Sequence, residues 1–182
     1  MAMSESDMKP LLRLLNELET PVCRRWSQST RQRWFFRPFA LVSRLGNGVF
    51  WYSLMAVLPL VDGLYGLETA LHMLLTSGVA LLLYKRMKGI TRRIRPCHYD
   101  MDITAGAPPL DRYSFPSGHT LHAVSFSTVA LFYYPQLAWL LVPFTLLVAA
   151  SRVVLGLHYP SDVLVACIVG LALGYTSVMV VA

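Results

Sequence analysis

Two histidines, one aspartate and a few cations stand out from an otherwise apolar chain. His119 lies in Pro116-Ser117-Gly118-His119. His158 lies six residues after Arg152 and four before Asp162, in Ser151-Arg152-x5-His158-x3-Asp162. Lys88 and Arg95 bracket Lys88-x6-Arg95-Pro96. These residue types suit a phosphoryl group. Arginine grips phosphoryl oxygens through two parallel N–H donors, and lysine adds a compact charge. Ser117 and Gly118 fall at an expected helix start, where free backbone N–H groups favour anions and glycine permits close approach. Two imidazoles can divide the work: one attacks phosphorus, while the other protonates the leaving oxygen and later takes a proton from water. Asp162 is placed to hold a ring nitrogen of His158 and fix its tautomer.

The elements that must position these groups are apolar. The chain of 182 residues is 55% hydrophobic and 14% charged, with a mean hydropathy of +0.49. A soluble domain carries roughly 25% charged residues, so lipid is the expected solvent. The fold class expected is all-α: an integral-membrane helical bundle of five spans behind an amphipathic, interfacial N-terminal helix. The spans are read at 45–64, 67–87, 116–134, 137–155 and 163–182, giving an N-terminal segment 1–44 and a membrane domain 45–182. Pro135 breaks the chain after the third span, Pro143 is expected to kink the fourth, and Pro160 restarts the helix before the fifth. Residues 4–20 carry Met8, Leu11, Leu12, Leu15 and Leu18 on one face, and Thr20-Pro21 is expected to end that helix. Arginines and aromatics mixed through residues 22–44 suit the headgroup level. The acids among the first 20 residues and the lack of a cleavage pattern predict no removable signal peptide.

With short turns between five spans, all three clusters emerge on one membrane face. Together they resemble the three-part signature of the type 2 phosphatidic acid phosphatase superfamily, matched in order and without substitution over residues 88–162. That family includes bacterial lipid phosphatases, undecaprenyl-diphosphate phosphatases and the soluble vanadium haloperoxidases. The resemblance implies a phosphohistidine on His158, oriented by Asp162, with His119 as general acid and then base. It implies that Lys88, Arg95, Ser117, Gly118 and Arg152 bind phosphate, that no metal or other cofactor takes part, and that vanadate inhibits. The implied substrate is a lipid phosphate or diphosphate held at the bilayer: a polyprenyl diphosphate, phosphatidylglycerol phosphate or phosphatidic acid. Alternatives are a lipid phosphotransferase, in which another acceptor replaces water, and a non-catalytic lipid-phosphate binding or transport protein.

The remaining polar residues get plainer readings. The net charge of +6 comes with no nucleic-acid motif, so no nucleic-acid partner is expected. His98, Asp100, Asp102 and Asp111 match no metal-ligand spacing and read as a solvated loop; Cys23, Cys97 and Cys167 imply no disulfide framework. Lys85, Arg86, Arg92 and Arg93 read as headgroup anchors. His72 and His122 read as polar packing within the bundle. Residues 1–47 and 85–112 plus Arg152 hold every Lys and Arg, while the loops at 62–68 and 134–137 hold none. The positive-inside rule then puts the site on the cytoplasmic face of a bacterial inner membrane, although relatives that recycle lipid carriers face the periplasm.

Overall fold

The structure, a computed structural model, describes residues 10–29, 33–109 and 111–181. It is mostly helical, with a non-helical loop between Asp100 and Ser117 and no named strand among the described residues. Helices α1 (Pro10–Ser29), α2 (Arg33–Arg44), α3 (Phe50–Thr91), α4 (Pro96–Tyr99), α5 (Gly118–Tyr133), α6 (Ala138–Val154) and α7 (Pro160–Val181) follow in order. Among the described residues, three helical stretches are long and apolar enough to cross a membrane: Phe36–Thr91, Pro135–Val154 and Pro160–Val181. α5 has 16 residues and runs through the centre of the bundle.

The two spans expected at 45–64 and 67–87 are one helical run that turns back on itself. Asp62 and Gly63 leave helical geometry, and Gly63 takes φ +56°, a left-handed value natural only to glycine. Past the turn, a Cβ on Gly66 would lie 2.1 Å from the carbonyl oxygen of Leu58. In a straight helix those residues would stand about 12 Å apart. Contacts with α5 show the two limbs running antiparallel: Trp51 packs on Phe126, Asp62 accepts from the Tyr134 hydroxyl at 2.9 Å, and Tyr84 lies against Gly118.

The main apolar core gathers Trp51, Met55, Leu58 and Met73 of α3, Phe126 and Val129 of α5, Leu141 and Val148 of α6, and Val178 of α7. His72 bonds the Tyr133 hydroxyl and the Ser177 hydroxyl, each at 3.0 Å, joining α3, α5 and α7 as a polar cross-link. The three cysteines are free.

α1 departs from expectation at its end. Thr20-Pro21 does not stop it; the helix continues through Pro21 to Ser29. Proline removes one backbone donor, but Pro21 and Glu17 are both exposed, so the unbonded carbonyl faces outward. The expected start between Ser4 and Asp7 lies outside the described residues. The buried stripe of α1 is polar or small, made of Asn16, Thr20, Cys23 and Ser27, whereas Leu11, Leu14 and Leu18 are exposed.

Candidate active site

The start of α7 builds the His158 corner. Pro160 occupies the first helical position, where its missing N–H costs nothing. Asp162, two positions further, turns Oδ2 back to accept the N–H of Tyr159 at 2.9 Å, the reciprocal half of a capping box. The preceding turn is tight. Gly156 takes φ +67°, and the carbonyl of Arg152 accepts both the Leu157 and His158 N–H groups, at 3.1 and 3.0 Å. The spacing from Arg152 to His158 to Asp162 is therefore the length of one turn plus one helix cap.

Nδ1 of His158 faces Oδ2 of Asp162 at 3.6 Å, and both side chains are buried. On the other side of the ring, Arg95 Nη1 donates to Nε2 at 3.1 Å, which makes Nε2 the unprotonated nitrogen and places the ring proton on the Asp162 side. Burial, then the charges of Arg95, Arg152 and Lys88, push the His158 pKa well below its ordinary value. The ring is neutral, with a lone pair on Nε2, as a nucleophile requires.

His158 borders a cavity of about 220 Å³ whose polar wall also includes Lys88, Arg95, Asp111, Gly118, His119 and Arg152. The wall continues to Trp51, Tyr84, His122 and Phe126. His122 Nδ1 lies 2.9 Å from the carbonyl of Gly118. A second cavity of about 480 Å³ shares His119 and Arg152 and extends to Phe36, Arg37 and Arg44 of α2 and to Pro108. α2 also supplies Ser43, whose hydroxyl accepts a short hydrogen bond from Arg152 Nη1.

Segments far apart in the chain thus meet here: Lys88, Arg95, Gly118, His119, Arg152 and His158 line the cavity, and Asp162 stands behind His158. Ser117 lines neither cavity. The helix begins at Gly118 and not at Pro116. Ser117 is its N-cap, fully buried, with Oγ accepting from Thr120 N–H at 3.4 Å and its own N–H donated to the Asp162 carbonyl at 3.2 Å. Ser117 holds α5 against α7 while Gly118 and His119 face the cavity.

Arg93 is also not a headgroup anchor. It is 0% exposed, while Lys85, Arg86 and Arg92 are exposed as expected. Its guanidinium donates to Asn16 Oδ1 at 2.8 Å, Glu19 Oε2 at 2.7 Å, Ser161 Oγ at 2.6 Å and Asp162 Oδ1 at 2.6 Å, and it stacks 4.0 Å from the Tyr159 ring. α1 thereby reaches the aspartate behind His158.

Asp111 is the second residue that sequence reasoning missed. Its carboxylate bonds Lys88 Nζ at 2.6 and 2.7 Å and Arg95 Nη2 at 2.8 Å. Burial raises its pKa, but the hydrogen bond and charge of Lys88, with Arg95, outweigh that and hold it below the usual carboxylate value. The signal available was charge balance: two buried cations in one motif call for a counter-ion. Asp100, by contrast, pairs with the exposed Arg24 at the surface, and no group of three potential metal ligands forms among the described residues.

A family model for the PAP2 superfamily matches residues 69–182, and the chain belongs to that superfamily. It is 44% identical over 62 residues to the undecaprenyl-diphosphatase BcrC of Bacillus subtilis, a match covering 34% of this chain and 32% of that protein. It is 25% identical over 140 residues to the undecaprenyl-diphosphatase of Sulfolobus acidocaldarius, covering 76% of this chain and 67% of that protein. The decaprenylphosphoryl-5-phosphoribose phosphatase of Mycolicibacterium smegmatis is 39% identical over 79 residues, 42% of this chain and 41% of that protein. These matches thus span from one third to two thirds of the relatives' own length. The fold is that of two solved structures. The transmembrane PAP2-type phosphatidylglycerolphosphate phosphatase of Bacillus subtilis aligns with TM-score 0.65 and 24% identity over 92% of this chain and 90% of that one. Aquifex aeolicus LpxE aligns with TM-score 0.69 and 23% identity over 97% and 99%.

Proposed function

We propose that this membrane protein hydrolyses the terminal phosphate of a lipid phosphate or diphosphate through a phosphohistidine on His158. The observation that carries this reading is the position of His158. Its neutral ring, backed by Asp162 on the Nδ1 side and met by Arg95 at Nε2, lines a cavity walled by Lys88, Arg95 and Arg152.

Nε2 attacks phosphorus while the P–O bond to the lipid breaks, and that bonding pair stays with the leaving oxygen. The three cations neutralise charge on the equatorial oxygens, the main demand of a loose phosphoryl-transfer transition state. His119 gives its proton to the leaving oxygen, then takes one from the water that cleaves the P–N bond and releases inorganic phosphate. Asp162 stabilises the charge that develops on the His158 ring, and Arg93 holds Asp162. With three side-chain cations on the phosphoryl group, no step requires a metal.

The bilayer arrangement belongs to the same proposal. Five crossings, counting the two limbs of α3 separately, leave α1 and α2 at the headgroup level on the face that carries the site. The distribution of Lys and Arg favours the cytoplasmic face of a bacterial inner membrane. The names of the relatives, an undecaprenyl-diphosphatase and a decaprenylphosphoryl-5-phosphoribose phosphatase, favour a polyprenyl-linked substrate with a terminal phosphate.

The test is phosphate release over a panel of polyprenyl diphosphates and monophosphates, phosphatidylglycerol phosphate, phosphatidic acid and soluble phosphate esters. Turnover of lipid esters well above soluble ones is expected. Binding of lipid phosphate with no release from any member would contradict the proposal.

A further inference from the structure

The ammonium of Lys88 has three N–H donors. It bonds Asp111 Oδ1 at 2.6 Å, Asp111 Oδ2 at 2.7 Å and the Tyr113 carbonyl at 2.8 Å. A phosphoryl oxygen that binds Lys88 therefore has to take donors from Asp111. The same carboxylate holds Arg95 Nη2 at 2.8 Å, and Arg95 Nη1 in turn rests on His158 Nε2. One carboxylate thus engages both cations next to the reacting nitrogen.

The backbone around Asp111 is pinned independently of its side chain. Arg95 Nε holds the Asp111 carbonyl at 3.0 Å, Tyr113 pairs with Ile94, and Ser114 N–H donates to the Arg93 carbonyl at 2.9 Å. The carboxylate, about one third exposed, can turn away while the loop stays in place.

On the reading that this cavity takes a phosphoryl group, we infer that Asp111 is a specificity residue: a tethered carboxylate that admits phosphate monoesters and turns away phosphodiesters. Membrane phospholipids offer the site a vast excess of diester groups, each a monoanion. A monoanion that replaces a carboxylate on Lys88 and Arg95 gains no charge interaction, and it competes with a group whose tether gives it an effective concentration in about the millimolar range or above. A terminal phosphate carries roughly −1.5 to −2 at neutral pH and can outbid the carboxylate for the same donors. Rejection by a competing charge is a common route to specificity.

The experiment compares the full-length protein with D111N and D111E in neutral detergent micelles, hydrolysing a lipid monophosphate as phosphatidylglycerol is titrated in. The parent and D111E are expected to be insensitive. D111N is expected to be inhibited, with a Ki for the diester about tenfold lower or more, the scale of one hydrogen bond to a charged group. If D111N turns over too slowly, protection against thermal unfolding by glycerophosphoglycerol gives the same comparison as a binding constant. A carboxylate with only a structural role would weaken substrate and diester together when replaced. D111N as indifferent to the diester as the parent overturns the inference and leaves the phosphatase reading intact. A parent that releases phosphate from no lipid overturns that reading itself.

Discussion

Arg93 Nη1 donates to Asp162 Oδ1 at 2.6 Å, and both side chains are 0% exposed. The pair is the inner half of a chain that runs from α1 through Arg93 and Asp162 to the ring of His158. Burying two charges is tolerable here because nearly every polar atom is answered: Asn16, Glu19 and Ser161 complete the guanidinium, and Tyr159 N–H completes the carboxylate. Replacing Arg93 with Met should cost about 3–5 kcal/mol, the usual penalty for a buried charge left without its partner. Thermal unfolding in detergent measures the loss. R93K keeps the charge but not the planar fork, so it should recover much of the stability and little of the turnover. Full activity in R93K would show that charge alone suffices.

Glu19 extends the same relationship to α1. Its carboxylate accepts from Arg93 and from both the N–H and hydroxyl of Ser161, at 2.9 and 2.7 Å. E19Q should lower kcat several-fold with little change in KM, because it loosens Asp162 without touching the phosphate cations. A rise in KM alone would place Glu19 with substrate binding instead.

His158 predicts the acid dependence of stability. Its folded pKa is depressed by burial and by nearby cations, so below about pH 6.5 the unfolded chain binds a proton that the folded chain does not. Its contribution is present above that pH and is lost as pH falls. The melting temperature of the parent should drop more steeply between about pH 7 and pH 5 than that of H158Q, since the glutamine has no such proton to bind. Parallel curves would mean that the ring takes up its proton in the fold as readily as in the unfolded chain, and a shallower drop than in H158Q that the fold favours the charged ring.

Topology gives a prediction of another kind. Five crossings with the site in the cytoplasm put the end of α7 outside. A reporter fused after Ala182 should therefore behave as extracytoplasmic, and a cytosolic reporter would overturn the sidedness or the count.

The residues that were legible in the sequence are those whose polarity is unaffordable in lipid without a purpose. After Arg112, Arg152 and Asp162 are the only Asp, Glu, Lys or Arg residues in the chain. The turn at Asp62-Gly63 was legible for a similar reason, since glycine after a charged residue interrupts an apolar run. What stayed hidden depends on partners remote in sequence. Arg93 looks like any basic residue at the end of a span until Asn16 and Glu19, more than seventy positions earlier, close over it. Asp111 looks like a loop acid until the Ile94–Tyr113 pairing brings it beside Lys88 and Arg95. Ser117 has the right type for an anion ligand, but the helix cap and the α5–α7 junction claim it first.

In the proposed mechanism the same three cations carry the charge that a metal would otherwise offset. Turnover should survive EDTA unchanged, with the assay repeated after adding back magnesium or zinc. Loss with EDTA and recovery with metal would give the 97–111 loop a catalytic part.

The most direct measurement is a quench of the protein during turnover of a lipid substrate labelled in its terminal phosphate. The parent should carry an acid-labile, base-stable label that maps to His158, and H158A should carry none. Equal labelling of parent and H158A would contradict the account at its centre.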